Sequence, residues 1–292
     1  MRRVMALWRG LFPALLVLLL ECVLTPAIGR EVRYFQADSR YAYRTHLLQL
    51  ILEKSGDEGV FTLQPLYTDV TPDRGLALLQ SRRIDVVSLP ATPEREQLFR
   101  AVPVDIMRGL LGYRVLLIRK QRQADFSAIR SLEQLRNFSV GFGSQWADLP
   151  ILQHNGLNVV ATPQYQNLFA MLEKGRFDAF PRGLNEAWHE VEERTISQPD
   201  LVVESSLLLY YPYPVYFFVN RDDKALAERF ERGLARAQAD GSMRRLFLQY
   251  HAEALRQANL AQRHLISLEN PLLPSGFHEP DTSWWLPASL GH

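Results

Sequence analysis

The chain has 292 residues, 47% of them hydrophobic and 22% charged, with a formal net charge of +1. That is ordinary globular composition, with length for two domains. Basic charge comes almost entirely from arginine, with four lysines in the whole chain. A balance this near zero excludes the electrostatic footprint of a nucleic-acid binder.

The N-terminus opens on Arg2, Arg3 and Arg9, runs through the apolar "LFPALLVLLL" and reaches the small residues Ala27 and Gly29. A positive start, a short apolar run and a small-x-small site predict a secretory signal peptide over residues 1–29, and export to the periplasm. The run is short for a bilayer span, the alternative being an uncleaved anchor. Removing it takes away three Arg, one Glu and the single cysteine, Cys22, which leaves a balance of −1 and no disulfide. A packed core must then hold the mature chain together. No later apolar run is long enough for a second span.

"EVRYF" (31–35) reads as a strand, "HLLQLILEKSG" (46–56) as a helix with a glycine stop, and "FTLQPLY" (61–67) as a strand. In "TPDRGLALLQSR" (71–82), Thr71 is an N-cap and Pro72 the first helical residue. "IDVVSLP" (84–90) is a short buried strand. This β-α-β-α-β order predicts a parallel sheet flanked by helices. "GYRVLLIRK" (112–120) is a long strand, followed by a polar stretch read as a crossing between lobes. The pattern then restarts with the capping box at Ser131 and Gln134, the strand "FSVGFGS", a short helix, and the strand "LNVVATP". "YQNLFAMLEKG" (165–175) is an amphipathic helix, and "RFDAF" (176–180) is a strand that Pro181 ends. A polar-faced helix, at least one strand within 201–220, and a helical stretch from Lys224 to about Leu265 complete the two lobes.

The domain reading is lobe 1 over 30–117 plus 213–268, lobe 2 over 118–212, and an extended arm over 269–292 that Trp284 and Trp285 pin to a surface. A ligand between two such lobes sits at the strand ends. No zincin spacing, metal cluster, dinucleotide loop, Walker lysine or nucleophile elbow is present. The reading carries no cofactor, no metal and no catalytic residue. Asp38, Glu94 and Glu186 are the carboxylates that an enzyme in this cleft would have to use.

Four stretches together resemble family 3 periplasmic solute-binding proteins. They are "RIDVVSLPATPEREQLFR", "SVGFGSQWADL", "LEKGRFDAFPRG" and "ADGSMRRLFLQY". The resemblance implies a type II clamshell of two α/β lobes, each a mainly parallel sheet flanked by helices. It implies a monomer that closes on a small solute and delivers it to a membrane permease of the ABC type. A sensor subunit for a membrane signalling protein, or a dehydratase-like enzyme on the same fold, are the alternatives. By position, Arg95 matches the family arginine that grips a ligand carboxylate. Asp38 and Tyr41 follow the first strand where relatives place an acid and an aromatic wall. Ser144 lies before a helix start and Trp146 beside it as a pocket wall.

The sequence departs from the pattern where the family holds a ligand ammonium with aspartate: that place falls on Gly183, with Arg182 beside it. Two arginines, Arg95 and Arg182, facing one another from opposite lobes imply an anionic solute, the alternative being that Arg182 braces the turn through Asp178 or Glu186.

Overall fold

The computed structural model describes residues 30–36, 39–56, 61–66 and 71–290; the expected signal segment lies outside them. Strand β1 (Arg30–Tyr34) pairs in parallel with β2 (Phe61–Pro65), with helix α1 (Ala42–Lys54) between them in sequence. The α1 side chains Tyr43, Leu47, Leu48, Ile51 and Leu52 are buried, the i, i+4 spacing that puts one helix face against a core. Helix α2 (Pro72–Gln80) starts on Thr71, whose side chain accepts from the Arg74 amide, and proline stands in its first turn. Strand β3 (Val86–Pro90) lies beside β1, where Asp85 N donates to the Arg33 carbonyl at 2.8 Å. Helix α3 (Pro93–Leu98) and β4 (Arg100–Val102) follow.

The chain then enters a larger sheet. Strand β5 (Tyr113–Arg119) is its buried centre, and α4 (Gln123–Ser127), α5 (Leu132–Leu135), β6 (Ser139–Gly143), α6 (Leu149–His154), β7 (Asn158–Thr162) and α7 (Tyr165–Glu173) follow. Next come β8 (Ala179–Gly183), α8 (Ala187–Glu192), β9 (Leu201–Val203) and β10 (Leu207–Tyr210). The chain returns to the first lobe as β11 (Val215–Val219), which lies antiparallel between β3 and β4. Helices α9 (Lys224–Ala239) and α10 (Ser242–Ala258) cover that lobe against α1. Strand β12 (His264–Ser267) then crosses back and adds to β10, giving the large-sheet order β12-β10-β5-β8-β6-β7, with β9 also on β5.

The single parallel sheet read for the first lobe is instead a parallel pair, β1-β2, and a separate antiparallel sheet, β3-β11-β4. Strand pairing differs from the sequence reading in three further places. Residues 113–117 belong to the large sheet, so the first crossing falls within 103–112 rather than after 117. Residues 264–267, placed in lobe 1 where the helical stretch was read to end at about Leu265, form a strand of the large sheet. The strand expected over 176–180 is displaced to 179–183 and runs through Pro181 instead of ending there. Strand β6 meets β8 only at Ala179, so beyond it that side of β8 has no partner strand, and a residue without N–H is tolerated there.

The two crossings between lobes are tied together. The buried Asp105 carboxylate accepts from the amides of Met107 (3.0 Å), Gly109 (2.6 Å) and Val215 (3.0 Å). Ile106 N donates to the Val215 carbonyl at 2.9 Å, and Tyr211 N to the Gly112 carbonyl at 3.2 Å. Among the described residues no helix is long and apolar enough to cross a membrane.

Candidate functional site

The first-lobe side of the cleft is built at the C-terminal end of β3. Thr92 caps α3 by accepting from Arg95 N at 3.3 Å, which turns the Arg95 side chain back over the strand end. There its Nη1 donates to the Pro90 carbonyl at 2.6 Å. Arg44, one turn into α1, reaches the same strand and donates to the Ser88 carbonyl at 3.2 Å. Carbonyls two residues apart on a strand are about 7 Å apart and point the same way. Both side chains therefore bond the same end of one strand. Burial lowers the pKa of both, opposed for Arg44 by Tyr41 and by Glu186 of the opposite lobe, and for Arg95 by Tyr213. Arginine stays charged under such shifts. Among the described residues, neither makes an ion pair with a carboxylate. Tyr41 is half-buried, its ring 5.2 Å from the Arg44 guanidinium carbon and 5.7 Å from that of Arg40. Asp38 lies outside the described residues.

The opposite side is different in kind. Arg182 is 7% exposed and fully engaged. Its Nε and Nη2 donate to Glu190 Oε2 (2.7 Å) and Oε1 (2.5 Å), and Nη2 also donates to Glu186 Oε2. Tyr165 OH donates to Glu190 Oε1 at 2.6 Å. Trp146, Phe180 and Tyr165 surround the guanidinium, with ring centroids at 4.9, 5.0 and 5.4 Å. Burial opposes ionisation of Glu190, yet hydrogen bonds from Arg182 and Tyr165 and the nearby Arg194 charge outweigh it and hold the carboxyl below its usual range. The expectation of a free Arg182 facing Arg95 is thus replaced by a strand arginine neutralised by α8. Of the two braces weighed for Arg182, the structure has Glu186 and not Asp178. The signal passed over was Glu190, four residues further on, which stacks with Glu186 on the helix face over the strand end.

A second buried assembly stands next to it. Arg114, beside the apolar run Val115–Ile118 of β5, donates from Nε to Tyr211 OH (2.9 Å) and from Nη2 to Asp148 Oδ2 (2.8 Å). Tyr211 OH donates to the same Asp148 oxygen at 2.7 Å. This joins the large sheet, the start of α6 and the returning crossing. A charge beside an apolar run is the one sequence feature that could have pointed here.

Gly183 lies between these groups. A Cβ there would stand 2.9 Å from both Asn185 Oδ1 and Glu186 Oε1, and 3.3 Å from Arg114 Nη1. The Glu186 carboxylate therefore occupies the space a side chain at 183 would enter. Asn185 Oδ1 is buried without a hydrogen-bond partner. Ser144 is exposed, and its amide already donates to the Thr162 carbonyl at 3.0 Å, which removes it as an anion-binding N–H. Asp178 accepts from Ser139 N and Oγ and from Arg122, tying strand ends on the far side of the sheet. Among the described residues, no cluster of three or more His, Asp or Glu could hold a metal.

Two lobes joined by paired crossings, with arginine and carboxylate side chains at the strand ends between them, match solved structures over most of their length. The chain has the two-lobe fold of periplasmic binding proteins. An ancestral arginine-binding protein bound to glutamine superposes with a TM-score of 0.54 at 18% identity, over 75% of this chain and 96% of that one. A histidine kinase sensor domain with similarity to periplasmic binding proteins gives 0.53 at 18%, over 77% and 96%. An ancestral amino-acid-binding protein, a precursor of cyclohexadienyl dehydratase, gives 0.54 at 16%, over 76% and 94%. No protein-family model and no curated protein matches the sequence. At these identities the likeness establishes the periplasmic-binding-protein fold, and that fold has served binder, sensor and enzyme lineages alike.

Proposed function

We infer that the protein is an exported, non-enzymatic solute-binding protein that closes on a small carboxylate-bearing solute and passes it to a membrane permease. The observation that carries this reading is the pair Arg44 and Arg95, two half-buried guanidinium groups at one strand end with main-chain carbonyls as their hydrogen-bond partners. A planar fork with unused donors is a carboxylate receptor. Arg182 belongs to this reading as a positioning residue, because Glu186 and Glu190 already consume its charge. Glu186 brings an acid to the space above Gly183, where the family resemblance puts an aspartate. With Asn185 Oδ1 it offers unfilled acceptor capacity to a hydrogen-bond donor on the solute. The solute is therefore read as carrying a carboxylate toward the first lobe and a donor group toward the second. It touches both lobes only when they are closed, so binding stabilises that state.

The test is thermal-shift screening of the mature protein against the common amino acids and C4–C6 dicarboxylates, followed by calorimetric titration of any hit. A carboxylate hit that Arg95→Ala abolishes supports the reading. A hit without a carboxylate, or one indifferent to Arg44 and Arg95, refutes it. The solved kinase sensor domain of the same fold supports a second reading, in which the closed state is presented to a membrane signalling protein. Recovery of a kinase rather than a permease on affinity capture from membranes would favour that reading.

A further inference from the structure

After β12 the chain does not leave the molecule. Residues 269–290 run across both crossings and touch both lobes. On the large-sheet lobe, Asn155 Nδ2 donates to the Glu269 carbonyl at 2.8 Å, and Glu269 N donates back to Asn155 Oδ1 at 2.9 Å. At the returning crossing, Leu268 N donates to the Tyr210 carbonyl (2.7 Å), Asn270 Nδ2 to the Pro212 carbonyl (2.7 Å), and Tyr210 OH to Glu279 Oε1 (3.0 Å). At the outgoing crossing, Trp285 Nε1 donates to the Arg108 carbonyl at 3.2 Å and Arg108 Nη2 to the Asp281 carbonyl at 3.3 Å. The Trp285 ring meets Tyr113 edge-on at 5.3 Å, while Trp284 packs on Phe247 of α10, in the first lobe, at 4.9 Å.

The bonded segment is also the most contorted part of the hinge. Arg108 has φ 51° and Gly109 φ 83°, consecutive residues in the left-handed region. For a residue with a Cβ that conformation is uncommon and persists where surrounding contacts hold it. Asp105 holds this turn from inside and Trp285 from outside. Thr282 and Pro280 press on Gly109 from the same side: a Cβ there would stand 3.1 Å from Thr282 Cγ2.

We propose that residues 269–290 form a strap that clamps both hinge crossings and sets how freely the two lobes move. Hinge motion is absorbed by a few residues that change φ and ψ. Here the candidates, Arg108 and Gly109, lie under Trp285. Movement about them requires the Trp285–Arg108 bond to break or the strap to slide on Phe247.

Hydrogen–deuterium exchange on the full mature chain tests this, with two variants. Trp285→Phe keeps an aromatic ring but removes the N–H together with the five-membered ring that carries it; truncation after Leu268 removes the strap. Exchange at the amides of Gly109, Gly112, Tyr211 and Val215 is expected to rise about tenfold in the truncated chain and by a smaller factor in Trp285→Phe. The β5 amides paired to β8 should keep wild-type protection, and small-angle scattering of the truncated chain should show a changed radius of gyration. Unchanged exchange at the four hinge amides in both variants overturns the proposal. So does a uniform rise across hinge and β5 alike, which would show that the arm contributes only global stability. If the truncated chain does not fold, the comparison of hinge and β5 amides in Trp285→Phe decides alone.

Discussion

Arg44 and Arg95, both half-buried, differ from the buried arginines of the cleft in what they bond. Arg114 has Asp148, and Arg182 has Glu186 and Glu190, whereas Arg44 and Arg95 donate to carbonyl oxygens. If both grip one carboxylate, losing either leaves solute charge unpaired in a desolvated site, at a cost of roughly 2–5 kcal/mol. At about 1.4 kcal/mol per tenfold, Arg44→Ala and Arg95→Ala should each raise Kd on the order of 30- to several-thousand-fold. Arg95→Lys should recover only part, because a point charge cannot make the planar two-bond contact. Titration calorimetry checks both, and apo melting temperatures close to wild type would show that the loss is in binding. Arg182→Ala should behave oppositely. It strands two carboxylates, one of them buried, and breaking such a pair costs about 3–5 kcal/mol. The expected result is a markedly lower apo melting temperature in a thermal scan. The residue scale is also where sequence reading ran short. Arg95 was legible through the family resemblance, which fixes its position after the strand; the Thr92 cap that turns its side chain is seen in the structure. Arg44 was not, because nothing in "YAYRTHLL" says which neighbouring strand its helix face meets. Arg182 was noticed for the right reason, a cation at a strand end. Glu186 was weighed as a brace for it, but Glu190 was missed, because it lies on the following helix, whose packing only the fold supplies.

At the scale of elements, apolar periodicity and caps recovered most strands and helices near their places, since α1, α2 and α7 each bury one regular face. The misplacement of β8 has a definite cause. Proline was read as the end of a ladder, whereas β8 has a side with no partner strand beyond Ala179 and continues to Gly183. That three-residue shift is what places Arg182 in the sheet rather than at a loop mouth. The packing of α1 on α10 makes a separate prediction. His251 is 5% exposed among Tyr43, Tyr250 and Phe247, and its Nε2 has no partner. Burial first, and then the Arg44 charge, lower its pKa to about 4. The unfolded chain, with an ordinary histidine pKa near 6.5, binds more protons between these values, so stability should rise as pH goes from about 4 to about 6.5. The contribution is at most roughly 3 kcal/mol. Denaturant titrations at pH 4.5 and 7 should show this slope in wild type and a shallower one in His251→Phe.

For the whole molecule, the order of motifs along the sequence was sufficient for a two-lobe clamshell, because each lobe is a β-α series read from local pattern. The boundaries were less legible. Residues 103–112 carry no regular period, and the assignment of β5 and β12 to the large sheet depends on long-range pairing. The C-terminal arm has no period at all, and its contacts with both crossings are visible only in three dimensions. The fold accommodates binding, sensing and enzymatic lineages, so the account rests on the chemistry of the cleft rather than on the architecture. Its central claim is that Arg44 and Arg95 together hold the carboxylate of a small solute. Native mass spectrometry of the mature protein, purified without refolding and compared with the Arg44→Ala/Arg95→Ala double variant, tests this most directly. The account predicts a small carboxylic acid bound to the wild type and lost from a double variant that melts at a similar temperature. A bound solute with no carboxylate, or one that the double variant retains undiminished, would contradict it.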